Sequence, residues 1–126
     1  MTSETNAAGN TARVVYNDSD QLIAAIDELN HKTSYTYDDQ HRLASVTDPN
    51  GNVTRYSYDA NGDLTGITDA LGNETRIAYD AEGRMIGVTD ALGRTTTFTY
   101  DADGNLLSET NAKGESLRYT YDALGR

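Results

Sequence analysis

The sequence predicts an all-β fold, an antiparallel β-hairpin repeat array of 21-residue units that forms a curved ribbon. Three observations predict it: tyrosine recurs every 21 residues, turn signals occur twice in each unit, and the segments between turns alternate in polarity. Because no insertion or deletion disturbs the period, one structural unit is copied along the chain. The units start at Tyr16, Tyr37, Tyr58, Tyr79, Tyr100 and Tyr121.

Each unit contains two turn signals of the form Asp-x-x-Gly. The aspartate accepts backbone hydrogen bonds and the glycine tolerates a positive φ, which together favour a type I turn. Three turns carry Asp20, Asn30 or His41 in place of glycine, and these residue types tolerate the left-handed region best among the others. The structural repeat positions are the tyrosines together with Asp59, Asp80, Asp101, Gly62, Gly72, Gly83, Gly93 and Gly104.

The segments between turns are about six residues long, which is strand length. In the first strand of a unit, alternation places Thr75, Ile77 and Tyr79 on one face and Arg76 on the other. We expect Tyr58, Tyr79 and Tyr100 to lie on the same face, one unit apart.

In the second strand of each unit the apolar residues lie three apart, as Met85 and Val88 do, and this spacing predicts a β-bulge or a local twist. One stretch has an alternative. Asp18 to Leu29 has apolar residues at helical spacing with Ser19 as an N-cap, although the intact period on both sides favours a hairpin.

Composition limits the architecture and the partners. Nine of the ten aromatic residues are tyrosine, so we expect a single sheet with an aromatic face and no thick apolar core. The net charge of -10 argues against nucleic acid, whose phosphates require clustered cations. No apolar run is long enough for a transmembrane helix, which argues against membrane insertion, and the first residues lack the pattern of a signal peptide.

From the 21-residue period we interpret residues 1–126 as a single repeat array. Both ends of the chain fall within a unit, so we interpret the chain as part of a longer protein. Its terminal strands, near Asn10 to Tyr16 and Glu115 to Tyr121, are expected to be unpaired edges. Such edges predict self-association of the isolated chain through backbone pairing.

No residue pattern indicates a catalytic, cofactor or metal site, so we predict that the chain is not an enzyme. The stretch from Asp101 to Asn105 is similar to half of a calcium loop, as are the aligned stretches at Asp59 and Asp80, but turn chemistry explains all three. His31 and His41 are expected in turns or on the surface. The tyrosine rows are expected to pack across strands, with stacking on a glycan as the alternative.

The stretch from Tyr79 to Met85, followed by Val88 to Asp101, resembles the YD repeat of Rhs proteins. The repeat also occurs in the shell subunits of insecticidal toxin complexes, in wall-associated bacterial toxins and in teneurins. The resemblance implies that the ribbon is an arc of a β-spiral shell, and that the rest of the full-length protein completes the shell and encloses a C-terminal toxin or effector. It implies a secreted or cell-surface protein, or one delivered by a secretion system.

The family's self-cleavage segment has no counterpart here, so no catalytic residue is carried over. The alternative is an adhesion module that binds a glycan or a protein, as teneurins bind partners.

Overall fold

The computed structural model describes residues 2–5, 11–122 and 124–126, and these residues form β-strands joined by tight turns. Within each of the two compact units described below, the strands follow one another in chain order without crossovers. Twelve strands are present among the described residues: β1 Thr2–Thr5, β2 Thr11–Tyr16, β3 Leu22–Ile26, β4 Lys32–Tyr37, β5 Leu43–Thr47, β6 Val53–Tyr58, β7 Leu64–Thr68, β8 Glu74–Tyr79, β9 Met85–Thr89, β10 Thr95–Tyr100, β11 Leu106–Thr110 and β12 Ser116–Arg118.

The chain divides into two compact units, one comprising Met1–Tyr56 with Thr68–Gly72 and the other Ser57–Ile67 with Asn73–Arg126. In the first, β1 to β6 pair in succession, each antiparallel to the next. In the second, β8 to β12 pair in the same way. The predicted fold class, an antiparallel hairpin array, is therefore confirmed.

The predicted bulge lies in the second strand of the hairpin. Ala78 pairs with Gly87, but the next pair is Tyr79 with Met85, so Ile86 is an extra residue without a partner on β8. The same shift occurs in the hairpins that contain Tyr16, Tyr37 and Tyr100. The extra residue shifts the alternation by one position, so Met85 and Val88, which pair with Tyr79 and Ile77, lie on one face, and this explains the three-residue apolar spacing.

The stretch from Asp18 to Leu29 is a hairpin strand, and the helical alternative for it is wrong. Its central residues form β3, which pairs with β2 on one side and β4 on the other. Asp20 and Asn30 adopt φ values of 57° and 67° and so bound the segment with turns. The five residues of β3 are too few for a stable helix, whereas two ladders satisfy their backbone groups.

The predicted N-terminal edge is also wrong, because Thr11–Tyr16 is not an open strand. Residues 2–5 form β1 and pair with it, from Thr2 opposite Val14 to Thr5 opposite Thr11. The reason is visible in the repeat, since the sequence Ser-Glu-Thr-Asn at residues 3–6 recurs at residues 108–111. Self-association of the isolated chain stays a prediction, and sedimentation at several concentrations tests it.

No thick apolar core is present among the described residues. Among the residues whose burial is described, the only buried hydrophobic side chain is that of Ala24, which is 5% exposed. Most tyrosines and branched side chains of the inner strands are half-buried, whereas Tyr16, Tyr119 and Tyr121 are exposed. Hydrogen bonds and half-buried packing within the sheet therefore carry a larger share of the stability than in a two-layer domain.

Candidate functional site

The repeated turn is the most regular local structure of the chain. In the turn from Asp80 to Arg84, the Gly83 N–H donates to the Asp80 carbonyl at 3.1 Å and the Asp80 N–H donates to the Arg84 carbonyl at 2.9 Å. Gly83 has a φ of 77°. This is a type I turn closed by a residue in the left-handed region, as the sequence predicts.

The aspartate at the first place stabilises the turn by accepting hydrogen bonds from residues of the same turn. One oxygen of Asp80, Oδ1, accepts the N–H groups of Glu82 at 3.1 Å and Arg84 at 2.9 Å. The other, Oδ2, accepts the Nε–H of Arg84 at 2.7 Å. In the same way, Asp101 accepts the backbone N–H groups of Asp103 and Asn105 and the side-chain amide of Asn105. In both stretches the first carboxylate therefore accepts hydrogen bonds from residues of its own turn.

Sequence reasoning missed the residue at the fifth place of the turn. Where the first place is aspartate, the fifth carries a donor in most turns, as in Asp38 with Arg42 or Asp48 with Asn52, and Asp63 after Asp59 is the exception. Where the first place is asparagine, the fifth carries an acceptor, and the Asn111 amide donates to Glu115 Oε2 at 2.7 Å. This complementarity between two positions of the internal repeat is the signal that could have identified the pair.

Exchanging the polarity of one pair tests this relation. Asp90→Ala should lower the thermal midpoint by several degrees, because it removes acceptors for the backbone N–H groups of Leu92 and Arg94 and for the Arg94 side chain. Asp90→Asn should cost less, since asparagine keeps one acceptor, and Asp90→Asn with Arg94→Glu should recover stability by reproducing the Asn111–Glu115 pair. Thermal unfolding followed by circular dichroism measures the series. A double variant less stable than Asp90→Asn alone would contradict the complementarity.

These hydrogen bonds also make the fold sensitive to acid. The Arg94 side chain and backbone N–H hold the pKa of Asp90 below its ordinary value of 3.8. The Asn105 side chain and backbone N–H lower the pKa of Asp101 in the same way. Because these pKa values are lower in the folded state, the stabilisation is complete above about pH 3.8 and is lost as the pH falls through the lowered values. Urea midpoints should be constant from pH 7 to pH 5 and fall below pH 4, whereas a higher midpoint at pH 3 than at pH 5 would contradict this.

The repeating tyrosines join neighbouring strands at the end where the backbone pairing of those strands has stopped. The backbone pairing of β9 with β10 stops at Thr97 opposite Gly87, and beyond it the Tyr100 hydroxyl donates to the Met85 carbonyl at 2.8 Å. The same bond joins Tyr37 to Leu22, Tyr79 to Leu64 and Tyr121 to Leu106, at 2.9 to 3.0 Å. Each hydroxyl thus ties a unit to the one before it in the chain.

This hydrogen bond explains why the residue at this position is always tyrosine. Two residues earlier the same face carries Tyr35, Ile77 or Phe98, so a ring or branched chain suffices there. At the repeating position the hydroxyl is used as a donor, and phenylalanine could not replace it. The strict period identified the tyrosines, but nothing in the sequence identified the carbonyl acceptor fifteen residues away.

The two faces of the strands differ in burial and charge, as the alternation predicts. Tyr58, Tyr79 and Tyr100 are half-buried, whereas Ser57 and Thr99 beside them are exposed. Four of the eight arginines lie on the exposed face, and the other four pair with the first aspartate of a turn. The exposed-face arginines are Arg13, Arg55, Arg76 and Arg118, and the turn arginines are Arg42, Arg84, Arg94 and Arg126.

Arg84 links its own turn to the equivalent turn of the next unit. Its guanidinium lies 5.1 Å from the centre of the Tyr100 ring, and its Nη1 donates to the Asp101 carbonyl at 3.0 Å. The cation over the ring and the hydrogen bond both position the tyrosine that closes the strands.

The histidines lie in turns, as predicted, and His31 Nδ1 is 2.9 Å from Asp27 Oδ2. The described part of the chain contains no helix that is long and apolar enough to cross a membrane.

Solved structures share this fold. The chain is similar to part of a Photorhabdus luminescens Tc holotoxin pore, with a TM-score of 0.75 and 18% identity, over 93% of this chain and 6% of that one. It is also similar to part of a TcdB2-TccC3 crystal structure, with a TM-score of 0.65 and 20% identity, over 95% of this chain and 7% of that one. The present chain thus spans less than a tenth of either chain.

The sequence itself matches a family model. No curated protein matches the chain significantly. The RHS repeat model matches residues 16–53, 37–75, 79–116 and 100–126, which is well over half of the chain. The 21-residue period, the paired turns and the tyrosine that closes each unit lie within these matches. The chain belongs to the RHS repeat family.

Proposed function

We propose that this chain is a non-enzymatic structural segment of an RHS-repeat shell that, in the full-length protein, encloses a C-terminal toxin or effector. The observation that carries the proposal is the series of hairpins, in which the hydroxyls of Tyr37, Tyr79, Tyr100 and Tyr121 each bond to the preceding unit. Such a series adds strands to one sheet without changing the local structure, so its length sets how large a surface it covers.

The proposed mechanism is physical. A continuous β-surface separates the enclosed polypeptide from the surrounding cell until release, and the segment itself performs no chemistry. The turns recur along the chain and four tyrosines make the same interunit bond, so successive units resist local opening through the same kinds of contact. In this setting the protein is secreted, present at the cell surface or delivered by a secretion system, and the remainder of the same polypeptide is its main partner.

Limited proteolysis of the full-length protein tests the proposal. The C-terminal domain should resist a protease to which the same domain, expressed alone, is sensitive. A variant that opens this segment, Tyr79→Ala with Gly83→Val, should expose the domain to cleavage, whereas the turn-surface variant Ala81→Ser should leave it protected. Equal cleavage of the domain in the intact protein and in isolation would overturn the proposal.

Electron cryo-microscopy of the full-length protein provides an independent measurement. The proposal expects density for these strands in a wall around the C-terminal domain. A C-terminal domain folded outside an open repeat array would contradict it. The adhesion alternative would instead require the tyrosine face to be accessible, with binding to glycans that is lost in Tyr35→Ala and Tyr56→Ala.

A further inference from the structure

Two turns of the chain place an asparagine directly before the turn glycine, at Asn50-Gly51 and Asn61-Gly62. Both asparagines are exposed at the third place of the turn. Within the described residues, neither side chain makes a hydrogen bond, since only their backbone N–H groups donate, to Asp48 and Asp59. The two sites therefore have the same dipeptide, the same place in the turn and the same exposure.

An exposed Asn-Gly step undergoes a well-defined intramolecular reaction. The glycine amide nitrogen attacks the side-chain carbonyl carbon of asparagine, a C–N bond forms, and the side-chain nitrogen leaves as ammonia with the proton of the amide. Water then opens the five-membered succinimide at one of its two carbonyls, which yields aspartate or isoaspartate. The balance is one water consumed and one ammonia released, and glycine favours the step because no Cβ crowds the attacking nitrogen.

The closed turn opposes this reaction. The attacking nitrogen of Gly62 is occupied, because its N–H donates to the Asp59 carbonyl at 3.2 Å. The turn must open before the nitrogen can reach the side chain, so the rate depends on how often it opens. Of two such turns, the one that is less firmly closed reacts faster.

The two turns share the same backbone hydrogen bonds. The Gly51 N–H donates to the Asp48 carbonyl, and the Gly62 N–H donates to the Asp59 carbonyl. Asp48 Oδ1 accepts from the third and fifth residues of its turn, and Asp59 Oδ1 accepts from the corresponding residues of the other.

The two turns differ at the fifth place. Asn52 donates its side-chain amide to Asp48 Oδ2 at 2.7 Å and closes that turn. The residue at the same place in the other turn is Asp63, a carboxylate that has no proton to donate to Asp59 at neutral pH and repels it. Pro49 further restrains the first turn through its fixed φ, and the second turn has Ala60 there.

We propose that Asn61 is a site of spontaneous deamidation, and that the fold directs the modification to Asn61 in preference to Asn50. The product places a third carboxylate between Asp59 and Asp63. In the isoaspartate form it also adds a methylene to the main chain inside the turn. Both changes disfavour the closed turn, so the first modification makes this hairpin end open more often.

Incubation of the full chain at pH 8 and 37 °C, followed by peptide mapping with mass spectrometry and an isoaspartate assay, tests the proposal. Deamidation at Asn61 should be about threefold to tenfold faster than at Asn50, the factor expected from one net hydrogen bond. The difference should vanish in concentrated urea, where neither turn is held. Equal rates in the folded chain, or a ratio that persists in urea, would overturn it.

One variant separates the role of the fifth place from the dipeptide itself. Asp63→Asn introduces the donor that closes the turns at Asp48 and Asp101, so it should slow deamidation of Asn61 by a similar factor and leave the rate at Asn50 unchanged. Asn61→Gln should abolish the modification at this turn. An unchanged rate at Asn61 in the Asp63→Asn chain would contradict the assigned cause.

Discussion

Tyr79→Ala is expected to lower the free energy of unfolding by about 2 to 3 kcal/mol, the largest effect of a single side chain in this fold. The substitution removes a half-buried ring that lies opposite Met85 and also the hydroxyl that donates to the Leu64 carbonyl at 3.0 Å. Urea unfolding monitored by circular dichroism measures the loss.

A second pair of variants separates the ring from the hydroxyl. Tyr79→Phe keeps the ring and should cost about 1 kcal/mol, the net value of one hydrogen bond. Tyr35→Phe is the matched control, because Tyr35 is also a half-buried strand residue and its hydroxyl makes no hydrogen bond within the described residues. Equal destabilisation by the two phenylalanine variants would show that the interunit hydrogen bond contributes nothing specific.

Gly83→Val is expected to destabilise the chain by about 1 kcal/mol or more, because valine would have to adopt the φ of 77° that glycine adopts in the turn. A β-branched side chain is strained in the left-handed region even where space is available around it. The only heavy atom near an added Cβ is Asp63 Oδ2, at 3.8 Å, so the cost arises from the backbone and not from a clash.

Gly87→Ala is the matched control and should have the opposite sign. Gly87 lies inside β9 with a φ outside the left-handed region, and an added Cβ would meet the Ala78 Cβ and the Thr96 carbonyl at an ordinary 3.8 Å. Alanine should therefore stabilise the strand by about 0.5 to 1 kcal/mol through a lower entropy of the unfolded chain. Destabilisation by both substitutions to a similar degree would contradict the conformational explanation.

The turns were predictable from the sequence because their chemistry is local. Asp80 and Gly83 lie three residues apart, and the hydrogen bonds that they make involve residues within the same turn. His41 could be assigned to a left-handed position for the same reason, and it has a φ of 64°. The strict period then extended each local assignment along the chain, which is how the hairpin at Asp18 to Leu29 could be preferred over a helix.

The N-terminal strand and the tyrosine bonds were not predictable in this way. Residues 2–5 are too short a segment to carry a strand signal of their own, and only the recurrence of the sequence of residues 3–6 at residues 108–111 indicates that they pair with β2. The acceptor of the Tyr100 hydroxyl is a backbone carbonyl, which every residue carries, so no residue type could reveal it.

The sequence by itself determined the fold class, the 21-residue unit, the left-handed turn positions and the separation of the faces into tyrosine and arginine sides. Each of these follows from residues a few positions apart or from the repetition of one pattern. Only the tertiary structure decided that the hydroxyl of Tyr79 bonds to Leu64, that Arg84 lies over Tyr100, and that the turns at Asp48 and Asp59 are held unequally. These contacts depend on how neighbouring strands are placed in register, and that placement is a property of the folded sheet.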